Sequence, residues 1–161
     1  MSWRLMNCLL CFMGLSFVGI GFAEQRPVLP LASEYLQEHA ELSCFTKALA
    51  KSDRLELIDS LPELTLFVPH NSAFTKWSQK DLDTIFAHRQ MLQTLVDFHI
   101  TESRITTEEA KDLNAILMEN GGLVSTEWDG TDLWINGARV LVRDIQLQNG
   151  MMHIIETILE P

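Results

Sequence analysis

Two segments of the sequence are the most informative about its fold: TLFVPHNSAF, residues 65–74, and NGMMHIIETILEP, residues 149–161. The apolar run from Leu64 to Val68 predicts a buried β-strand that ends at Pro69. Asn71 is expected to cap a turn of helix, because its side chain can accept a hydrogen bond from a free amide at the helix start. The first segment is therefore a core strand whose exit is set by the residues that follow it.

The second segment begins with a turn signal and continues as a strand. The pair Asn149–Gly150 predicts a tight hairpin with a positive φ, and residues 151–159 predict an apolar strand. His153 is the polar exception within that strand. A neutral imidazole can donate one hydrogen bond and accept another, so His153 is expected to tie its strand to a loop.

The remaining pattern places helices in the first half of the chain and strands in the second. Apolar spacing and capping residues predict helices beginning at Ser33, Asp53, Ser78, residue 88 and Thr106 or Thr107, with an extended stretch over Asp97–Thr101. Turn signals such as Asp129–Gly130 and Asn136–Gly137 separate predicted strands over Leu123–Trp128, Leu133–Ile135, Ala138–Val142 and Asp144–Leu147. Helices segregated from an antiparallel sheet predict the α+β class.

The two segments, in this order and at this spacing, resemble the two signature blocks of the fasciclin domain. Residues 96–100 lie where that family has a Tyr-His pair, with Phe98 in place of the tyrosine before His99. The resemblance covers residues 31–161. It implies a fasciclin-like fold, in which a helix-rich N-terminal half packs on an antiparallel β-sandwich or wedge of short strands. It also implies a non-catalytic role in adhesion or extracellular binding.

The N-terminal residues predict a secretory signal peptide. Arg4 is the only charge before Glu24, residues 5–23 are nearly all apolar, and Gly21 and Ala23 are the small residues of a cleavage site after Ala23. The alternative is an uncleaved anchor, because the apolar run is almost long enough to span a bilayer. The favoured organisation is a signal peptide over 1–23, a linker over 24–30 and a fasciclin-like domain over 31–161. It predicts a secreted or periplasmic protein with no membrane span after cleavage.

The net charge limits the kinds of partner that are expected, and the cysteine content limits the expected disulfides. The formal net charge is −10, which disfavours nucleic acid as a partner. The C-x-x-C of Cys8 and Cys11 falls inside the predicted signal peptide and is interpreted as incidental. Cys44 is then the single remaining cysteine, which excludes an internal disulfide and favours a buried structural thiol.

No pattern of catalytic residues is found. The sequence has no G-x-S-x-G elbow, no phosphate-binding glycine loop and no H-E-x-x-H spacing. The histidines of the predicted mature chain are His39, His70, His88, His99 and His153. We therefore assign no catalytic, cofactor-binding or metal-binding residue, and expect a protein that is not an enzyme and has no cofactor. His99 and His153 are interpreted as hydrogen-bonded core histidines.

The resemblance supplies the candidate partner-binding residues. In animal members of the family, an Asp-Ile element before the second block and the Tyr-His segment are implicated in integrin binding. Asp144 and Ile145 match the first element, and Phe98 and His99 match the second in part. The alternative is that Ile145 is the inward residue of a strand and Asp144 its solvated neighbour. A lack of glycosylation sequons and of repeated domains is more typical of a bacterial protein, which makes an integrin partner doubtful.

Three functional hypotheses follow. The first is a binding module for an extracellular protein, a host or matrix component, or an envelope surface component. The second is a small-ligand or lipid-binding pocket protein, or a hydrolase, with Trp77, Trp128 and Trp134 available to line a cleft. The third is a structural envelope protein whose partner is another copy. A monomer is compatible with the first two hypotheses.

Overall fold

The computed structural model describes residues 28–161, and the order of elements along them changes from helices to strands. The helices are α1 (Ala32–Glu38), α2 (Ser43–Lys51), α3 (Leu55–Ser60), α4 (Asn71–Phe74), α5 (Gln79–Ala87), α6 (Arg89–Asp97) and α7 (Thr107–Asp112), with a 3₁₀ turn over Ala40–Leu42. The strands are β1 (Leu64–Pro69), β2 (Ile100–Thr101), β3 (Ala115–Leu117), β4 (Leu123–Trp128), β5 (Leu133–Ile135), β6 (Ala138–Leu147) and β7 (Gly150–Ile155). The predicted signal peptide and the pair Cys8 and Cys11 lie outside the described residues.

All the strands belong to one seven-stranded sheet with the order β2-β1-β7-β6-β5-β4-β3. The α+β class and the packing of a helix-rich half on the sheet are confirmed. One pairing differs from the expected antiparallel arrangement, because β1 and β7 run parallel with Phe67 opposite His153. A parallel pair needs a long crossover, and here the whole chain between Pro69 and Gly150 provides it.

The β1–β7 pair lies at the centre of the fold and is covered on both faces. All six residues of each strand are buried. Leu66 and Met152 face the larger core, to which α1 and α2 contribute Leu36 and Phe45. Phe67 faces the smaller core formed with the outer strands. Burial on both faces explains why these segments read as continuous apolar runs rather than as alternating patterns.

Two of the predicted helix caps are confirmed. The Ser78 side chain accepts a hydrogen bond from the Asp81 amide at the start of α5. Thr106 and Glu109 form a reciprocal capping box at the start of α7, which chooses Thr106 over Thr107. Both signals are local in sequence, and this is why they could be found without the structure.

Three predicted caps are wrong. The residue that precedes α1 is Leu31 instead of Ser33, and Arg54 instead of Asp53 precedes α3. Asp53 has a φ of 55°, a left-handed conformation at the end of the preceding helix that is incompatible with capping the next one. The predicted cap at Asn71 is also wrong, because the side chain of His70 accepts from Ser72 at the start of α4.

The side chains of Asn71 and Asn149 instead form hydrogen bonds with the ends of helices that are distant in sequence. The Asn71 side chain accepts from the Cys44 amide at 2.9 Å and donates to the Ala40 carbonyl at 2.9 Å, which holds the start of α2. The Asn149 side chain donates to the carbonyls of Ile58 and Leu61 at 2.8 and 2.9 Å, which satisfies the C-terminal end of α3. Both side chains therefore satisfy helix ends in other parts of the chain.

Gly150 is required for a reason other than the predicted positive φ. Among the described residues, the glycines with positive φ are Gly121, Gly130 and Gly137. A Cβ built on Gly150 would overlap the backbone carbonyl of Leu64 on the neighbouring strand. The glycine therefore allows close approach of β7 to β1.

The C-terminal strands differ from the expectation in extent. The predicted strands over 138–142 and 144–147 are one strand, β6, with register shifts between Val140 and Val142 and between Val142 and Ile145. β7 ends at Ile155, short of the predicted end at Leu159, and β3 was not predicted. Within residues 28–161, no helix combines the length and the apolar character that a membrane crossing needs.

Candidate functional site: a partner-binding surface at the β6 irregularity

Asp144 lies in the irregular part of β6 and is held by contacts on both its backbone and its side chain. Its φ is 57°, a left-handed conformation that Asp tolerates better than most residues. Its Oδ1 accepts from the amide of Thr107 at 2.7 Å, at the first residue of α7. A carboxylate is favourable beside the free amides of a helix start. The residue is exposed to solvent, so a fixed carboxylate is presented there.

His153 lies behind Asp144 and joins it to the segment before α7. The His153 Nδ1 accepts from the amide of Asp144 at 3.3 Å, and the His153 Nε2 donates to the Ile105 carbonyl at 2.9 Å. A carbonyl can only accept, so the proton of the neutral ring is on Nε2. Burial lowers the pKa of His153. The expectation that this histidine ties its strand to a loop is confirmed.

Ile145 and Asp144 point in different directions. Ile145 is half-buried and packs against the larger core, as expected for an inward strand residue. Asp144 is exposed, as expected for a solvated neighbour, and its carboxylate in addition accepts a hydrogen bond from the Thr107 amide. A change of register between Val142 and Ile145, rather than simple alternation, sets these directions.

Phe98 and His99 are buried, at 4% and 0% exposed. The Phe98 ring packs over Gly122, where a Cβ would come within 2.6 Å of its Cε2 atom. The His99 Nδ1 donates to the Leu95 carbonyl at 2.8 Å, and its Nε2 accepts from the Leu159 amide at 3.0 Å. The neutral ring is therefore protonated on Nδ1, the opposite tautomer to that of His153. Burial lowers the pKa of His99 to about 4.

His99 and His153 both contact Phe67 of β1, inside the protein. The Phe67 amide donates to the His99 carbonyl at 2.9 Å, and the Phe67 ring stacks on the His153 ring with 5.6 Å between centroids. Both histidines thus hold the central strand from its two sides. Of the four predicted partner-binding residues, Asp144 is exposed, Ile145 is half-buried, and Phe98 and His99 are enclosed.

An ion pair directly before Phe98 and His99 was not predicted from the sequence. Arg54 donates to the two carboxylate oxygens of Asp97 through Nε and Nη2, each at 2.7 Å. Hydrogen bonding to Asp97 raises the pKa of Arg54. The one available signal was an acidic residue at the end of α6, where the helix dipole disfavours it unless a cation is near. The sequence does not say which cation, because Arg54 is far away along the chain.

The other candidate residues are spread over the described part of the molecule. Within residues 28–161, no group of three or more His, Cys, Asp or Glu side chains could hold a metal ion. Cys44 is half-buried, which is less enclosed than expected for a core thiol. Trp77 lines an open groove of about 440 Å³ with Ile85 and Met91.

Neither Trp128 nor Trp134 lines that groove. The Trp128 ring carries the Lys111 ammonium 4.3 Å from its centroid and the Arg143 guanidinium at 5.6 Å. The Trp134 Nε1 donates to the Asp129 carboxylate at 2.8 Å. The proposed cleft formed by all three tryptophans is therefore wrong, since each ring has a separate environment.

Comparison with known proteins places this arrangement in a family. The Fasciclin domain model matches residues 40–161. Human periostin is 27% identical over 129 residues, which cover 80% of this chain and 15% of periostin. Immunogenic protein MPB70 of Mycobacterium bovis is 25% identical over 141 residues, which cover 85% of this chain and 70% of that protein.

A solved structure shares the fold. The FAS1 domain pair from the insect cell adhesion molecule Fasciclin I superposes with a TM-score of 0.61 at 21% identity, over 76% of this chain and 46% of that chain. The chain thus spans less than half of that domain pair and a small part of periostin. Because the family model matches well over half of the sequence, this chain belongs to the fasciclin domain family.

Proposed function

We propose that this protein is a secreted or envelope-associated binding module that acts in adhesion or in recognition of an extracellular, matrix or envelope component, without catalysis. The observation that carries the proposal is membership of the fasciclin family, which shares its fold with a domain pair of an insect cell adhesion molecule. The buried histidines support it, because both ring nitrogens of each are used for hydrogen bonds that hold the fold.

The pattern of the N-terminal residues supports export. Arg4, the apolar run over 5–23 and the small residues before Glu24 predict cleavage after Ala23. Mass spectrometry of the protein from culture medium, periplasm and membrane fractions tests this step. A mature chain starting at Glu24 outside the cytoplasm is the expected result, and an intact N-terminus in the membrane fraction would contradict cleavage.

Asp144 is the residue of the candidate surface that a partner can reach directly. Its carboxylate is exposed while its position is set by Thr107 and His153. Ile145 is the half-buried neighbour that such a partner could touch at its edge. Phe98 and His99 would contribute by positioning the core beneath this surface, since both are enclosed. The arrangement suits a partner that offers a cation or a hydrogen-bond donor to one rigid carboxylate.

A binding screen tests the proposal. The mature protein is titrated against immobilised matrix proteins, envelope polysaccharides and whole cells. Saturable binding to at least one is expected, and Asp144→Asn should weaken it about tenfold, because the amide keeps an oxygen for Thr107 but loses the charge. Asp112→Asn, at an exposed carboxylate outside this surface, is the matched control. Absence of saturable binding to every target would overturn the proposal.

The groove beside Trp77 supports a second candidate, a small-ligand or lipid-binding protein. Its lining combines Trp77, Ile85 and the half-exposed Met91 with the polar side chains of Ser78 and Asp81. Thermal-shift screening against fatty acids, phospholipids and metabolites tests this candidate. A ligand that stabilises the protein but not a Trp77→Phe variant would support it, with Trp134→Phe as the control. If nothing raises the melting temperature, the groove is not a binding site.

A further inference from the structure

The seven-stranded sheet does not close on itself, although its two end strands approach one another. β2 and β3 are the ends of the strand order. They are joined where the Glu119 amide, just after β3, donates to the Ile100 carbonyl at 2.8 Å. Beside this bond lies an open slot of about 360 Å³, lined by residues 101–103 on one side and by residues 117–119 and Gly121 on the other.

Backbone groups on both sides of the slot lack partners. The Met118 amide donates to Gly122 at 2.8 Å, so the groups of Met118 face β4 and those of Leu117 face the open side. By the same alternation, the Phe67 amide bonds to His99, so the groups of Glu102 face away from β1. Among the described residues, neither Leu117 nor Glu102 has a hydrogen-bonded backbone partner across the slot. Such an edge can accept another strand.

The side chains around the slot are of two kinds, acidic and apolar. Glu102 and Glu119 lie on the two sides of the slot and both line it. Burial and, next, the charge of Glu102 raise the pKa of Glu119. Beside them, Leu117 and Leu123 lie opposite each other on β3 and β4 and are 62% and 66% exposed. A paired negative charge thus sits next to an unusually exposed apolar pair.

We propose that this slot binds an extended peptide segment of a partner protein, which adds as a strand along β3 and places a lysine or arginine between Glu102 and Glu119. Main-chain hydrogen bonds to Leu117 would provide affinity, and the side chains would provide specificity. Leu117, the last residue of β3, and Glu119, in the turn that follows, lie on either side of the buried Met118 and both line the slot. The partner segment is accordingly one with a basic residue and an apolar residue two positions apart, the latter covering Leu117 and Leu123.

Charge argues for a basic partner segment over a second copy of this chain. The net charge of the chain is −10. A second copy pairing through β3 would bring its own Glu119 towards the same carboxylates, and like charges at close range oppose association. The inference goes beyond the proposed function, because it uses a different surface from Asp144 and does not depend on export.

The probe for this site is a short synthetic peptide that alternates threonine with lysine and valine, and a matched peptide has glutamate in place of lysine. Binding is measured by titration, and the bound site by amide hydrogen exchange. We expect the lysine peptide to bind and to slow exchange at the outward amides of Leu117 and Glu102. The glutamate peptide should bind at least about tenfold more weakly.

A charge-reversal pair separates this site from general attraction to an acidic protein. Glu102→Lys with Glu119→Lys should weaken the lysine peptide at least about tenfold and allow the glutamate peptide to bind. Glu56→Lys with Glu63→Lys makes the same change in net charge at exposed positions outside the slot and should leave both affinities within about twofold. Equal weakening by the two pairs, or protection of amides elsewhere, would overturn the inference. So would a concentration-dependent dimer of the free protein that protects the same amides.

Discussion

The central strands β1 and β7 differ from the end strands β2 and β3 in backbone pairing and in the burial of their side chains. In β1 and β7 every residue is buried, both edges of each strand are paired, and both faces pack against a core. β2 and β3 have two and three residues, and Leu117 of β3 is largely exposed. The segments that are recognisable in the sequence thus form the fully paired centre of the sheet, whereas the short end strands keep unpaired edges.

The largest effect is expected at the closest approach within the centre. Gly150→Ala places a methyl group against the Leu64 carbonyl, so β1 and β7 must separate. We expect a loss of roughly 4 kcal/mol in the free energy of unfolding, or failure to fold. Urea denaturation of the purified variant measures it.

A matched glycine separates close approach from backbone conformation. Gly130 has a φ of 99° and open space where a Cβ would lie. Gly130→Ala should therefore cost only about 1 kcal/mol, through the left-handed conformation alone. Equal losses in the two variants would mean that crowding by Leu64 is not the reason for Gly150.

The second effect is a pH dependence that comes from the centre. His99 is enclosed and neutral, and its pKa falls from an ordinary 6.5 to about 4 on folding. Below pH 6.5 His99 is protonated in the unfolded chain but stays neutral in the folded protein. The stabilisation that is present above pH 6.5 is therefore lost as the pH falls towards 4. The contribution of this residue is about 3 kcal/mol over that window. His153 acts in the same direction because its pKa is also lowered.

Unfolding free energies measured between pH 7 and pH 4 test this dependence. His99→Gln cannot titrate, so its profile should be flatter than that of the parent protein even though the variant is less stable at neutral pH. His88→Gln, at an exposed position, is the control. A His99→Gln profile as steep as the parent profile would show that other groups cause the acid sensitivity.

A smaller effect is expected where the centre is joined to the helices. Asn149→Ala removes two hydrogen bonds to the carbonyls of Ile58 and Leu61 at the end of α3. We expect a loss of about 1–2 kcal/mol, because these carbonyls are left without their partner. Thermal unfolding measures the loss, and Asn114→Ala, at an exposed position, should be close to neutral. No change in the Asn149 variant would contradict the assigned cap.

The smallest effect is expected at the edge. Leu117→Thr and Leu123→Thr alter side chains that are mostly in solvent, and threonine suits a strand. Each should change the free energy of unfolding by no more than about 0.5 kcal/mol. A loss comparable to that of Asn149→Ala would mean that the edge supports the fold as the centre does.

The predicted elements are confirmed where the contacts that determine them are local in sequence. The β1 run, the strands over 123–128 and 133–135, and the caps at Ser78 and Thr106 all depend on residues within a few positions of one another. The sequence did not predict where β7 ends, that β6 is one strand, or that β3 exists. These depend on which strand lies alongside, and local patterns carry little of that information.

The sequence predicted which residues belong to the candidate site, but it did not predict whether each of them is buried or exposed. The resemblance pointed to Phe98, His99, Asp144 and Ile145, but only the structure separates the buried pair from the exposed carboxylate. The partner of Asp97 could not be inferred, because Arg54 reaches it from another helix. The acidic slot at the edge has no sequence signal, since it exists only where β2 and β3 meet.

The family, the α+β class and the positions of the two central strands could be inferred from the sequence alone, because apolar runs, turn residues and their order indicate them. The roles of the polar residues in these segments follow only from the contacts made in the folded protein. Asn71 and Asn149 satisfy helix ends far away in the chain, and Gly150 admits the carbonyl of Leu64. Buried polar groups must find partners and close backbones must avoid overlap, and both requirements depend on which residues folding brings together.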